Sequence, residues 1–110
     1  MLRLFTTICL FVFISSNATA QLTAKEWFNK GVSLNDLADN ATAVKAFEKA
    51  VKLDAQYADA YYRLGWTHNE LGDYDKAIEH LKKAVELKKD YAFALQEMGY
   101  SYKKKENYTD

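Results

Sequence analysis

One pattern of apolar residues occurs in this chain two and a half times. It fills residues 24–57, returns over residues 58–91, and begins again at Ala92, always displaced by 34 residues. Trp27 aligns with Tyr61 and Leu95, and Gly31 with Gly65 and Gly99. Ala43 aligns with Ala77, Phe47 with Leu81, Ala50 with Ala84, Leu53 with Leu87 and Tyr57 with Tyr91. A unit this short cannot bury its own apolar face, so units at a fixed period must stack and share a core.

Within the second unit, Tyr61, Leu64, Gly65 and His68 fall at i, i+3, i+4 and i+7, one face of an α-helix. Ala77, Leu81 and Ala84 mark a second helix at i, i+4 and i+7. Gly65, Ala77 and Ala84 are small and let two backbones approach, while Tyr61, Leu64 and Leu81 fill the space between. Leu71-Gly72-Asp73-Tyr74 joins the two. Gly72 supports the positive φ that ends a helix, and Asp73 is placed to cap the next with its carboxylate. Each unit is therefore an antiparallel helical hairpin. The pattern predicts helices at about 24–37, 40–53, 58–71, 74–87 and 92–105, and Thr23 with Glu26 predicts a capping box at the first.

Those registered positions resemble the tetratricopeptide repeat (TPR) family, whose pattern combines a large aromatic, Leu-Gly, small alanines and a second aromatic at these spacings. The resemblance covers residues 24–110. It implies an all-α, right-handed TPR solenoid of antiparallel hairpins: repeats 24–57 and 58–91, and the first helix of a third in 92–110. The chain departs from the pattern at Lys30, where the family has leucine, and in the first turn, Ala38-Asp39-Asn40, which lacks glycine. Ala55 and Lys89 stand where proline is common, and the chain has no proline at all.

Residues 1–20 read as a secretory signal peptide. Arg3 is the only charge before Lys25, residues 4–14 are apolar, and Ala18-Thr19-Ala20 is a small-residue cleavage site that leaves Gln21 as the new N-terminus. The apolar run is about half of the roughly 20 residues a membrane span needs, so membrane attachment is expected only if the signal stays uncleaved. The domain is then residues 21–110. Cleavage removes Cys9, the only cysteine, and Arg3, leaving 14 basic against 15 acidic groups from the 15 of each in the whole chain. A thiol-free chain suits an oxidising compartment, and a bacterial periplasm is favoured over a eukaryotic secretory route. Asn40-Ala41-Thr42 and Asn107-Tyr108-Thr109 would be glycosylation acceptors only in the latter. A net charge near zero argues against nucleic acid, which requires a basic footprint.

No catalytic constellation is visible. The only serines after residue 20 are Ser33 and Ser101, and neither sits in a glycine-rich elbow. His68 and His80 lie 12 apart on different helices of one hairpin, too few ligands for zinc. Asp73 and Asp75 stand at a helix start, where capping and the helix dipole account for them. The reading is a non-enzyme with no cofactor, no metal and no small-molecule substrate.

The remaining chemistry is surface. The first helix of each unit carries a second stripe: Lys25, Phe28, Val32 and Asn35; then Asp59, Tyr62, Trp66 and Asn69; then Phe93, Gln96, Tyr100 and Lys103. The resemblance implies that these residues line a concave groove holding a peptide. Phe28, Val32, Asn35, Tyr62, Trp66, Asn69, Phe93, Tyr100 and Lys103 are the candidate binding residues. Packing between neighbouring repeats competes for the same aromatics. Some family members clamp a peptide's C-terminal carboxylate with a lysine and an asparagine. Phe28 and Val32, then Tyr62 and Trp66, occupy those positions here, so that clamp is absent. The expected function is non-catalytic protein or peptide binding, as a scaffold or assembly adaptor. Leu95, Met98 and Tyr102 form a second candidate face, where the next helix of the pattern would pack. Three arrangements are open for it: a longer repeat array of which this is the N-terminal part, cover by a second copy or another protein, or reorientation of the helix.

Overall fold

The computed structural model describes residues 21–109, with side chains to Asn107; the signal-peptide reading of residues 1–20 lies outside them. The described residues form five α-helices and no strand: α1 (Ala24–Asp36), α2 (Asn40–Leu53), α3 (Ala58–Glu70), α4 (Tyr74–Leu87) and α5 (Ala92–Thr109). α1 pairs with α2 and α3 with α4 as hairpins. The first helices α1, α3 and α5 also touch in succession, and α2 and α4 each meet the first helix that follows. Among the described residues, no helix contacts one more than two places away along the chain.

Small residues let each hairpin close. Ala43, Phe47 and Ala50 of α2 and Ala77, Leu81 and Ala84 of α4 are all fully buried. A methyl carbon on Gly31 would lie 2.5 Å from Cε1 of Phe47, and one on Gly65 would collide with the Leu81 side chain. Each glycine is thus a notch filled by the large residue of its partner helix. Two core clusters follow, one built on Ala43, Val44, Phe47 and Leu64, the other on Ala77, Leu81, Ala84, Tyr91 and Ala94. Lys30, which replaces the leucine of the pattern, places its ammonium 5.1 Å from the centre of the Trp27 ring, and Lys49 of α2 does the same.

The turns repeat as the hairpins do. Gly72 has φ +78°, and Ala38, 34 residues earlier, has φ +60°. Both turns are closed by the same pair of backbone bonds. Ala38 N–H donates to Asn35 O and Asp39 N–H to Leu34 O; Gly72 N–H donates to Asn69 O and Asp73 N–H to His68 O. The first turn therefore reaches the left-handed conformation without glycine.

Helix starts are less uniform. The capping box at α1 forms as predicted, with Glu26 N–H donating to Thr23 Oγ1 at 3.2 Å and Thr23 N–H to Glu26 Oε2 at 2.7 Å. Asp39 accepts from Thr42 N–H at 3.4 Å. Asp73 does not cap α4 with its carboxylate. That group turns to the Lys76 ammonium at 3.7 Å and lies 4.0 Å from His68 Nδ1. Asp75 is likewise engaged, by Lys105 of α5 at 2.7 Å.

α5 runs beyond its expected end, through Glu106, Asn107 and Tyr108, which align with the turn Gly72-Asp73-Tyr74. Glu106 stands where the second unit has Gly72, and a non-glycine residue there does not favour the left-handed backbone that ends α3. Ala94 and Ser101 of α5 are fully buried against the second repeat, whereas Leu95 and Tyr102 are 48% and 44% exposed. No helix among the described residues is long and apolar enough to cross a membrane.

Candidate functional site

Aromatic residues from all three units meet at one cleft of about 370 Å³, lined by Phe28, Asp59, Tyr62, Arg63, Tyr91 and Phe93. Phe28 stacks on Tyr57 with ring centroids 5.0 Å apart and leans on Phe47 at 5.7 Å. Tyr62 repeats the arrangement one unit on, 5.2 Å from Tyr91, and reaches Phe93 at 6.4 Å. Loop tyrosines 57 and 91 thus seat the helix aromatics, and Phe93 is left 66% exposed at the edge.

Polar groups in the cleft are of two kinds. The Tyr91 hydroxyl donates to Asp59 Oδ1 at 2.5 Å. Burial, then that hydrogen bond and the Asp59 charge, hold the phenol far above its ordinary range. Burial also raises Tyr62, with Glu97 adding to it. Arg63, by contrast, forms no ion pair among the described residues. Arg63 lines the cleft together with Phe28, Tyr62, Tyr91 and Phe93, and a guanidinium there suits a carboxylate.

The other stripe residues lie elsewhere. Asn35 and Asn69 face the next repeat. Asn35 Nδ2 donates to Thr67 Oγ1 at 3.1 Å and to Asn40 Oδ1 at 3.0 Å. Asn69 Nδ2 donates to Glu97 Oε2 at 3.0 Å, and Asn69 Oδ1 accepts from Ser101 Oγ at 2.7 Å. Thr67 donates to the carbonyl of Arg63, four residues before it, and the Ser101 hydroxyl is shared between Asn69 Oδ1 and the carbonyl of Glu97. The same polar link therefore joins repeat one to two and two to three, and Asn69 and Ser101 are both buried. Val32 packs on the first core cluster. Trp66 is half-buried outside the cleft. Tyr100 lies edge-on to Tyr74 at 6.4 Å with Lys104 over its ring at 5.6 Å, and Lys103 is exposed near the end of α5.

Arg63, Thr67 and Ser101 were not singled out by the sequence pattern. The hydroxyls could have been found: Thr67 and Ser101 are in register, as are Asn35 and Asn69. Arg63 sits one residue off the stripe and gives no such signal. A second hollow, about 580 Å³, runs along α4 beside Tyr61, Ile78 and His80, and its rim mixes the charges of Asp75, Glu79, Lys82, Lys83 and Glu86. Among the described residues no three of His, Cys, Asp and Glu gather as around a metal.

His68 is buried, stacked on His80 with centroids 5.4 Å apart and planes 10° from parallel. Its Nδ1 has no hydrogen-bond partner. Burial lowers the pKa of both rings, and His80 lowers that of His68 further. The pair fills the space between the helices of the second hairpin.

Family and structure comparisons agree with the helical-hairpin fold. A family model described as "Tetratricopeptide repeat" matches residues 58–91, and one described as "TPR repeat" matches residues 31–69. Two solved structures of MamA superpose with a TM-score of 0.74 at 32% identity, each covering 76% of this chain. The chain spans about half of theirs, 48% and 45%. No curated protein matches by sequence at a significant level. The two family matches together span more than half of the 110 residues, and they fall on the hairpins seen in the structure: this chain belongs to the tetratricopeptide repeat family.

Proposed function

We propose that the protein is an exported, non-catalytic scaffold that holds a segment of another protein in the cleft of Phe28, Tyr62 and Phe93. TPR domains generally bind proteins or peptides, and the family fold supports a protein-interaction role. The observation that carries the finer reading is the convergence of one aromatic from each of three units beside an uncommitted arginine. Rigid helix pairs present these groups already in place, so little ordering entropy falls on the protein side. Aromatic side chains offer much contact area for little lost freedom, and an arginine adds direction. The preferred ligand is a peptide with an apolar or aromatic anchor and a carboxylate within reach of Arg63.

The experiment is selection of peptides from a random library on the purified chain, followed by affinity measurements on Phe93→Ala and Arg63→Ala. Phe93 is exposed, so its truncation leaves the fold intact. Selected peptides should be enriched in an aromatic and an acidic residue and weaken by about tenfold or more on either variant. Unchanged affinities would remove the cleft as the site. Export has its own check: N-terminal sequencing of protein from the periplasm or medium should begin at Gln21, and a chain that still begins at Met1 inside the cell rejects it.

A further inference from the structure

The first two hairpins carry hollows at the same place in the repeat. One, of about 580 Å³, takes in Tyr61, Lys83 and Glu86. The other, of about 450 Å³, takes in Trp27, Lys49 and Lys52, which lie 34 residues earlier, with Gln21, Leu22 and Leu53 around them. Their charges differ. Along α4, Glu79, Lys83 and Glu86 share a face at i, i+4 and i+7, and Lys83 pairs with Glu86 at 3.8 Å. At the same three positions α2 has Lys45, Lys49 and Lys52. None of these three lysines forms an ion pair among the described residues, and no acidic side chain among them lines the hollow of the first hairpin.

Lys30 adds a further positive charge. It aligns with Leu64, which is buried, and its ammonium stands over the Trp27 ring, 5.1 Å from the centre, as that of Lys49 does. Two cations held on one ring concentrate positive charge at an aromatic surface. Beside it Leu22 is 42% exposed and Leu53 57%. Apolar contact and uncompensated positive charge thus meet in one concave place. The acids nearest in sequence are engaged elsewhere. Glu26 and Asp54 accept from the backbone N–H groups of Thr23 and Gln56, and Glu48 acts on the two histidines of the second hairpin. Residues 1–20 contain no aspartate or glutamate, so the segment that leads into the hollow supplies no negative charge. Among the described residues α5 touches neither α1 nor α2.

We propose that the hollow around Trp27 is a binding site for a small amphiphilic anion, a single anionic head on an apolar tail. The head lies at the Lys49 and Lys52 ammoniums, and the tail lies along Trp27 between Leu22 and Leu53. Lysine ammoniums suit such a head as point charges on flexible stems, with no fixed fork geometry to satisfy. The site shares no residue with the cleft of Phe28, Tyr62 and Phe93, and it does not depend on the peptide reading of that cleft.

The test uses octanoate, kept below its micellar concentration, as the probe. It is titrated into the isotope-labelled purified chain and followed by NMR shifts of backbone amides and indoles. Saturable shifts are expected at the Trp27 indole and at Leu22, Lys52 and Leu53. Acetate, a head without a tail, and octyltrimethylammonium, a like tail with a cationic head, should leave them unmoved. Lys52→Glu installs the residue type that the second hairpin carries as Glu86, so this variant should stay folded by circular dichroism. It should bind octanoate about tenfold more weakly or worse. Equal affinity for Lys52→Glu would overturn the proposal. So would equal shifts with acetate or octyltrimethylammonium, shifts centred on Tyr62 and Phe93, or no shift at Trp27. Adsorption to vesicles of anionic lipid, with Trp27 unmoved by octanoate, would overturn it in favour of a membrane surface.

Discussion

The Ser101 hydroxyl donates to the Asn69 side-chain oxygen across the second and third repeats, at 2.7 Å and with both groups buried. Ser101→Ala leaves that oxygen enclosed without its partner, which costs about 1–3 kcal/mol. Asn69→Ala removes the bonds to Glu97 as well and should cost at least as much. Asn35→Ala, at the half-buried equivalent link, should cost less. Urea unfolding of the three variants checks the order; equal midpoints for Asn35→Ala and Asn69→Ala would separate stability from burial at these links.

Alanine substitutions at two glycines in register should have opposite signs. Gly65→Ala drives a methyl into Leu81 and Ala77 and should destabilise by about 1–3 kcal/mol. Gly99→Ala meets open space within a helix and should stabilise by about 1 kcal/mol through helix propensity alone. Thermal unfolding decides. A loss at Gly99 would show that the notch is already occupied in solution.

Ala38 holds a left-handed backbone that L-residues avoid at a cost of about 1–2 kcal/mol. Ala38→Gly should therefore raise stability by about 1 kcal/mol, despite the greater freedom it gives the unfolded chain. Gly72→Ala should lower it by a similar amount. Chemical denaturation of the pair reads both, and equal effects of one sign would show that the turns are not equivalent.

The stacked histidines make the second hairpin acid-sensitive. Burial is the main cause of the lowered pKa at each, and the opposing ring adds to it at His68. Asp73 pulls His68 the other way, as Glu79 and Glu48 do His80. A folded value below the unfolded 6.5 means that the unfolded chain takes up protons first as pH falls. This contribution is complete above 6.5 and is lost as pH drops through 6.5 toward the folded values. The melting temperature should hold above neutrality and fall as pH drops below the unfolded value of about 6.5. His68→Phe removes the unpartnered Nδ1 and should flatten that fall. A variant profile parallel to the parent's would assign the acid sensitivity to other groups.

Much of the architecture was legible because period and helix face are local properties. The spacing of Gly65 and Leu81 already implied the hairpin, and the exposed Leu95 and Tyr102 followed from the unfinished pattern. The end of α5 was misread because alignment with Gly72 carried the turn onto Glu106, a residue without glycine's access to left-handed backbone. Asp73 was misread because a cap position does not fix where the carboxylate points when Lys76 and His68 compete for it. At the site, membership of a stripe could not separate Phe28 and Tyr62, which reach the cleft, from Asn35 and Asn69, which the next repeat overlaps. That distinction depends on how far one hairpin slides along another, and the links to Thr67 and Ser101 that set the slide span 32 residues.

Among the described residues, helices more than two places apart do not touch. Contacts between helices therefore stay within neighbouring repeats, so the loops to be closed are of limited length and the chain should fold quickly for its size. The same locality limits cooperation between the ends. Pulled from its termini, the stack should come apart one hairpin at a time.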